Sequence, residues 1–114
     1  MVKEMLLIRR KPGMSREDFI KHYEEVHAPL ILRMCPYVKK YARNYVQSGV
    51  MGEAGFDCIT EVWYEDMAGF QALGQLYTAE EGKPIRESEA SFLDESSMVV
   101  VLVDENVSEA SARR

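Results

Sequence analysis

His27 is the residue of this chain best suited to moving a proton. It lies seven residues after Ile20, four after Tyr23 and three before Leu30. At ~100° per residue that spacing places it on the buried stripe of a helix. A neutral imidazole there can give or take a proton near pH 7. It also lies next to Pro29, where a disturbed turn frees backbone carbonyls. A second reading is therefore open, in which the ring only bonds a loosened carbonyl and tightens the helix end. His22 is rotated well away from His27 on a regular helix and reads as a helix-surface residue, outside the site.

The other candidates fall on strands. Asp57, Glu61 and Trp63 share one face of an alternating segment, 57–64. Two carboxylates four residues apart on a strand are separated by ~13 Å, too far for a glycosidase-type pair. Each needs its own partner. Arg43 is expected opposite Glu61, either in a site or as a structural ion pair at an interface. Asp57 follows Gly55-Phe56. It either fixes that loop, or it orients His27 or holds a substrate hydroxyl. Tyr41, Tyr45 and Trp63 are expected to line one cleft. Their flat apolar rings with polar tips suit a planar aromatic ligand, and equally suit a dimer core. No glycine-rich phosphate loop and no metal-ligand spacing occurs, so neither a cofactor nor a metal is expected. Cys35 and Cys58 read as free thiols, Cys58 in the core.

The elements that position these residues are legible from periodicity. Residues 3–9 read as a strand. Lys11-Pro12-Gly13-Met14 is a turn, and Ser15 with Asp18 opens a helix whose stripe runs through Phe19, Ile20, Tyr23, Val26, Leu30, Ile31 and Met34. Pro29 is expected to bend or end that helix near Ala28. Residues 37–48 and 57–64 alternate as strands. Asp66 caps a second helix carrying Phe70, Leu73, Leu76 and Tyr77. Residues 78–95 read as an insertion with a short helix after Pro84, and Met98 to Val103 as a fourth strand. The order is βαββαβ, a ferredoxin-like α+β domain over residues 1–104, with residues 105–114 expected to be frayed or disordered.

Two helices cover only one face of a four-stranded sheet. The other face is expected to carry Tyr41, Tyr45, Ile59 and Trp63, with half of the Met98–Val103 run. A face of that kind calls for a second copy, so a two-fold homodimer closing an α/β barrel is expected. The net charge is −5, with no basic stripe, which argues against a nucleic-acid partner. No apolar run approaches the ~20 residues of a membrane span, and the start of the chain lacks a signal segment. A cytoplasmic location is expected.

Arg9 through Phe19 leads into His22-Tyr23-Glu24-Glu25-Val26-His27-Ala28-Pro29-Leu30. Tyr41 to Val46, Phe56-Asp57 and Glu61-Val62-Trp63-Tyr64 follow. This sequence resembles the EthD family of the dimeric α/β-barrel superfamily over roughly residues 3–104. The resemblance implies a cleft in each protomer between sheet and helices, and makes His27 the family's His-Ala-Pro histidine. Related barrels include decarboxylases, cyclases, oxygenases and isomerases, so the resemblance fixes the reaction poorly. The expected function is that of a cofactor-independent enzyme acting on an aromatic or enolic acid or lactone. In it His27 is the acid–base group, Asp57 its orienting partner, and Tyr41, Arg43, Tyr45, Glu61 and Trp63 bind the ligand. The alternative is a non-catalytic carrier of a hydrophobic metabolite or haem.

Overall fold

A computed structural model describes residues 1–110. Strand β1 (Val2–Ile8) leads into helix α1 (Arg16–His22). The chain continues through a five-residue π-helical turn, Tyr23–His27, into α2 (Ala28–Met34). Then come β2 (Val38–Tyr45), β3 (Cys58–Tyr64), α3 (Met67–Thr78), α4 (Lys83–Phe92) and β4 (Val99–Val103). The sheet is antiparallel with order β2-β3-β1-β4. This is the ferredoxin-like α+β arrangement, with α4 added inside segment 78–95. The sheet is open along β2 and β4, so one chain does not close a barrel.

Local chemistry sets the helix starts. Ser15 Oγ accepts the Asp18 N–H at 3.1 Å, and Asp66 Oδ1 accepts the Gly69 N–H at 3.0 Å. Pro84 stands in the first turn of α4, where its missing N–H costs nothing.

Pro29 does not end the first helix. Phe19, Tyr23, His27, Ile31 and Cys35 are all buried, a strict spacing of four. Over the twelve steps from Phe19 to Ile31, a regular α-helix turns ~1200°, a third of a turn too far to keep one face inward. The π-turn removes the excess. The Ala28 N–H bonds to the Tyr23 carbonyl, five residues back, and the helix passes through Pro29 under-wound.

The strand register divides residues that the sequence reading had placed together. Tyr41 pairs with Val62, Arg43 with Thr60 and Tyr45 with Cys58. Cys58, Thr60, Val62 and Tyr64 are buried beneath the helices, so Tyr41, Arg43 and Tyr45 face the helices too. Ile59, Glu61 and Trp63 point to the opposite, outer face. That face also carries Met5, Leu7, Val99, Val101 and Val103, and Trp63 pairs there with Lys40.

Gly82 joins α3 to α4. A Cβ at this position would stand 2.0 Å from the Leu76 carbonyl oxygen. Gly82→Ala is expected to lower stability by about 1–3 kcal/mol, read as a fall in Tm, because α4 must move away from the end of α3. At the C-terminal end, Glu105 is tied down. Its carboxylate accepts from Lys3 Nζ at 2.7 Å and from Trp63 Nε1 at 3.2 Å. The tail expected to be frayed runs over residues 105–114: residues 106–110 are exposed and form no helix or strand, and residues 111–114 lie outside the described residues.

Candidate functional site

A cleft of about 240 Å³ separates the helices from the sheet. Leu6, Val62, Ile31, Phe70, Leu73, Ile85 and Met98 make its walls apolar, and His27, Glu4, Glu89 and the hydroxyls of Tyr23, Tyr41, Tyr64 and Tyr77 are its polar points. Its lining includes two carboxyl groups and no lysine or arginine.

Glu89 is the residue the sequence reading missed. It is 7% exposed, accepts the Tyr77 hydroxyl at 2.6 Å and stands 4.0 Å from His27 Nε2. Burial pushes its carboxyl up to about 7, against a smaller downward pull from the Tyr77 hydrogen bond. His27 moves the other way. Burial, with a smaller repulsion from the His22 charge, lowers it to about 4. Near pH 7 the cleft therefore holds a neutral imidazole beside a carboxyl group close to half-protonated. Glu4 is a second buried carboxyl. It accepts the Tyr64 hydroxyl at 2.9 Å, and burial raises its pKa. The signal for Glu89 was present in the sequence: Ile85, Glu89 and Phe92 share one face of α4, and all three are buried.

Asp57 does not orient His27. Its carboxylate accepts the Arg10 backbone N–H at 2.9 Å and lies 3.7 Å from the Arg10 side chain, which fixes the loop before β3. The partner of His27 Nδ1 is Ser88 Oγ, at 2.9 Å. His22 reaches the same hydroxyl at 3.2 Å and packs its ring on Phe92, with centroids 4.6 Å apart. A regular helix would hold two residues five apart on different sides; the five-residue turn brings both histidines to α4.

Arg43 is not opposite Glu61. It makes a forked pair with Glu24, at 2.9 and 2.6 Å, and this pair holds the Glu24 carboxyl below its usual range. Tyr45 donates to the same carboxylate, which leaves Tyr41 as the member of the β2 trio that lines the cleft. Glu61 and Trp63 belong to an outer-face cluster. Lys3 bridges Glu61 and Glu105, at 2.7 Å each, and Lys3 and Lys40 both lie 4.6 Å from the Trp63 ring centre. Of the seven residues singled out from sequence, His27 and Tyr41 line the cleft. Arg43 and Tyr45 support its β2 side, Asp57 holds a loop, and Glu61 and Trp63 face away.

The model of the EthD domain matches residues 11–96. The chain belongs to the EthD family. The EthD match spans α1, the π-turn with His27, the β2–β3 pair and all of α4, so both members of the His27–Glu89 pair fall inside it. No curated protein matches the chain by sequence. Among solved structures, this EthD chain is similar to an ethyl tert-butyl ether D family protein of Bacillus halodurans C-125. That match has 24% identity, covers 93% of this chain and all of the other, and has a TM-score of 0.68. It is similar to a dimeric protein of ferredoxin-like fold from Bacteroides fragilis NCTC 9343, at 10% identity over 91% and 95% of the two chains, TM-score 0.62. It is also similar to an antibiotic biosynthesis monooxygenase, at 16% identity over 94% and 100%, TM-score 0.60. At these identities the likenesses establish a shared fold. Among the described residues of this EthD chain, no helix is long and apolar enough to cross a membrane, and no three His, Cys, Asp or Glu side chains gather as a metal site needs.

Proposed function

We propose that this EthD chain is a proton-transfer enzyme acting on a small, uncharged, enolisable ring compound such as a lactone, cyclic enone or phenol. The observation that carries the reading is Glu89, a buried carboxyl inside an apolar cleft with His27 Nε2 at 4.0 Å. A carboxyl with a pKa of about 7 is matched to proton exchange near neutrality. A neutral imidazole beside it supplies an N–H for oxygen that becomes negative. Glu89 takes a proton from the carbon next to a carbonyl, and His27 Nε2–H bonds the enolate oxygen as charge gathers there. Glu89 then returns the proton to a second carbon or to oxygen. Tyr77, donating to Glu89, holds the carboxyl in place and limits how basic it becomes.

The charge of the cleft narrows the ligand class. With Glu4 and Glu89 in the lining and Arg43 committed to Glu24, a free carboxylate has no cation to meet. This argues for a lactone, ketone or phenol over the aromatic acids expected from sequence. The volume, about 240 Å³, lies below the ~300–1,000 Å³ of sites for drug-sized ligands and argues against a macrocycle such as haem. The catalytic unit is proposed to be a homodimer that buries the outer sheet face. The dimeric Bacteroides fragilis relative and the apolar row Met5, Leu7, Ile59, Val99 and Val101 support it.

Deuterium wash-in tests the reading. A panel of lactones, cyclic enones and phenols is incubated with protein in heavy water, and exchange at the activated carbon is followed by NMR. Wild type is expected to catalyse exchange in at least one uncharged member, and Glu89→Gln to lose about 100-fold or more of that rate. Binding without wash-in would leave the cleft as a carrier site. Tighter binding of the corresponding carboxylates would overturn the ligand class.

A further inference from the structure

Ser88 stands between the two histidines. Its Oγ lies 2.9 Å from His27 Nδ1 and 3.2 Å from His22 Nε2. A hydroxyl has one proton to give, so it donates to only one of these rings. Ser91 sets the direction. Its hydroxyl donates to the Ser88 carbonyl at 2.6 Å, and its oxygen lies 3.3 Å from His22 Nε2. With its proton used on that carbonyl, Ser91 accepts from His22, which therefore carries its proton on Nε2 and shares it between Ser91 and Ser88. Ser88 is then free to donate to His27 Nδ1. That leaves the His27 proton on Nε2, the nitrogen that faces Glu89. The contacts run from half-buried His22, beside exposed Ser91, to buried His27 and Glu89.

We infer that His22 and Ser88 form a proton relay connecting the His27–Glu89 pair to bulk water. The inference rests on the acid–base reading of that pair and adds a route by which a solvent proton reaches the Glu89 carboxylate, the exchange with bulk water that deuterium wash-in reads. In one delivery, His27 Nε2 passes its proton to the Glu89 carboxylate and His27 Nδ1 takes the Ser88 hydroxyl proton. Ser88 Oγ takes the proton of His22 Nε2, and His22 Nδ1 takes one from water. One proton enters from solvent, one arrives on Glu89, and both imidazoles exchange tautomers without either carrying a net charge at the end. The His27–Glu89 contact, at 4.0 Å, is long for a bond, so the transfer to Glu89 needs the ring and the carboxyl to approach one another. Ser88 and His22 are positioning residues on this account, since neither lines the cleft.

The test needs no substrate. Histidine side chains labelled with ¹⁵N report tautomer and N–H exchange by NMR. Wild type is expected to show both rings as the Nε2–H tautomer. In Ser88→Ala the exchange of the His27 N–H with water should slow by about tenfold or more, because it must wait for a local opening, while His22 exchange stays fast. Ser88→Thr, which keeps the hydroxyl, should restore the rate. His22→Phe keeps a ring on Phe92 and removes the outer station, and should slow His27 in the same way if Ser88→Ala does not fold. Unchanged His27 exchange in a folded Ser88→Ala or His22→Phe protein would overturn the relay and show that water reaches His27 through the cleft. A wild-type His27 proton on Nδ1 would overturn it too. Either result leaves the deuterium wash-in of the Glu89 reading untouched, so the two can fail separately.

Discussion

Glu89→Gln is expected to make the protein more stable above pH 7 and to change little near pH 4. The Glu89 carboxyl sits at about 7 in the folded protein against an ordinary 4.5. Between those values the folded chain keeps a proton that the unfolded chain has released, so wild-type stability falls as pH rises. The full fall is about 3 kcal/mol at ~1.4 kcal/mol per pH unit. His27 has the opposite sign. It sits at about 4 against an ordinary 6.5, so between those values the unfolded chain holds the extra proton and stability rises with pH. From about pH 4.5 to 6.5 the two slopes oppose each other and the wild-type profile is flat. Glutamine keeps an acceptor for Tyr77 and has no proton to lose, so its profile shows the His27 slope alone. Thermal melts at half-unit steps from pH 4 to 8 check this. The gap between variant and wild type should widen with pH by on the order of 10 °C in Tm. A constant gap across that range would show that Glu89 is not held protonated by burial.

Val101→Lys is expected to give a monomer. Val101 pairs with Met5 on the outer face, next to Leu7 and Ile59, the row proposed to be buried between two copies. A lysine ammonium forced into that contact costs several kcal/mol, so pairing should weaken by about 100-fold or more. Leu102→Lys is the control. Leu102 is the next residue on β4, points to the helix side and is 46% exposed, so its variant should stay dimeric. Light scattering at micromolar concentration separates the outcomes. A wild-type chain that scatters as a 13.1 kDa particle would refute the pairing, as would equal effects of the two lysines.

What could be read from the sequence was what is decided locally. Ser15 and Asp66 cap the helices they were expected to cap, because a cap depends on three or four neighbouring residues. The βαββαβ order followed from periodicity in the same way. The facing of β2 was not local. Odd positions of β2 pair with even positions of β3, from Tyr41 with Val62 to Tyr45 with Cys58. That parity is set across a twelve-residue connection, 46–57, with no tight turn to fix it, and a one-residue slip would move every side chain to the other face. Trp63 and Tyr41 were therefore assigned to one cleft and lie on opposite sides of the sheet. Arg43 was matched to Glu61 for the same reason and found Glu24. Glu89 was hidden differently. A glutamate between Ile85 and Phe92 looks like a surface residue until the stripe on α4 is followed, and the segment had been set aside as an insertion.

The π-turn gives the first helix room to lose one residue. A substitution at Glu25 alters only what an exposed side chain touches, whereas losing one residue from the Tyr23–His27 turn would rewind the segment as ordinary α-helix. Eleven steps of ~100° come to ~1100°, close to three whole turns, so Phe19 and Ile31 would still face the same side of the molecule. The Gly49–Gly55 loop is exposed and bonded into no strand, so it can lengthen or shorten freely. Inheritance of this site is thus a matter of counting as much as of chemistry: gaps between related chains are expected in that loop and, as a single residue, within the π-turn, which eleven or twelve steps from Phe19 to Ile31 both satisfy.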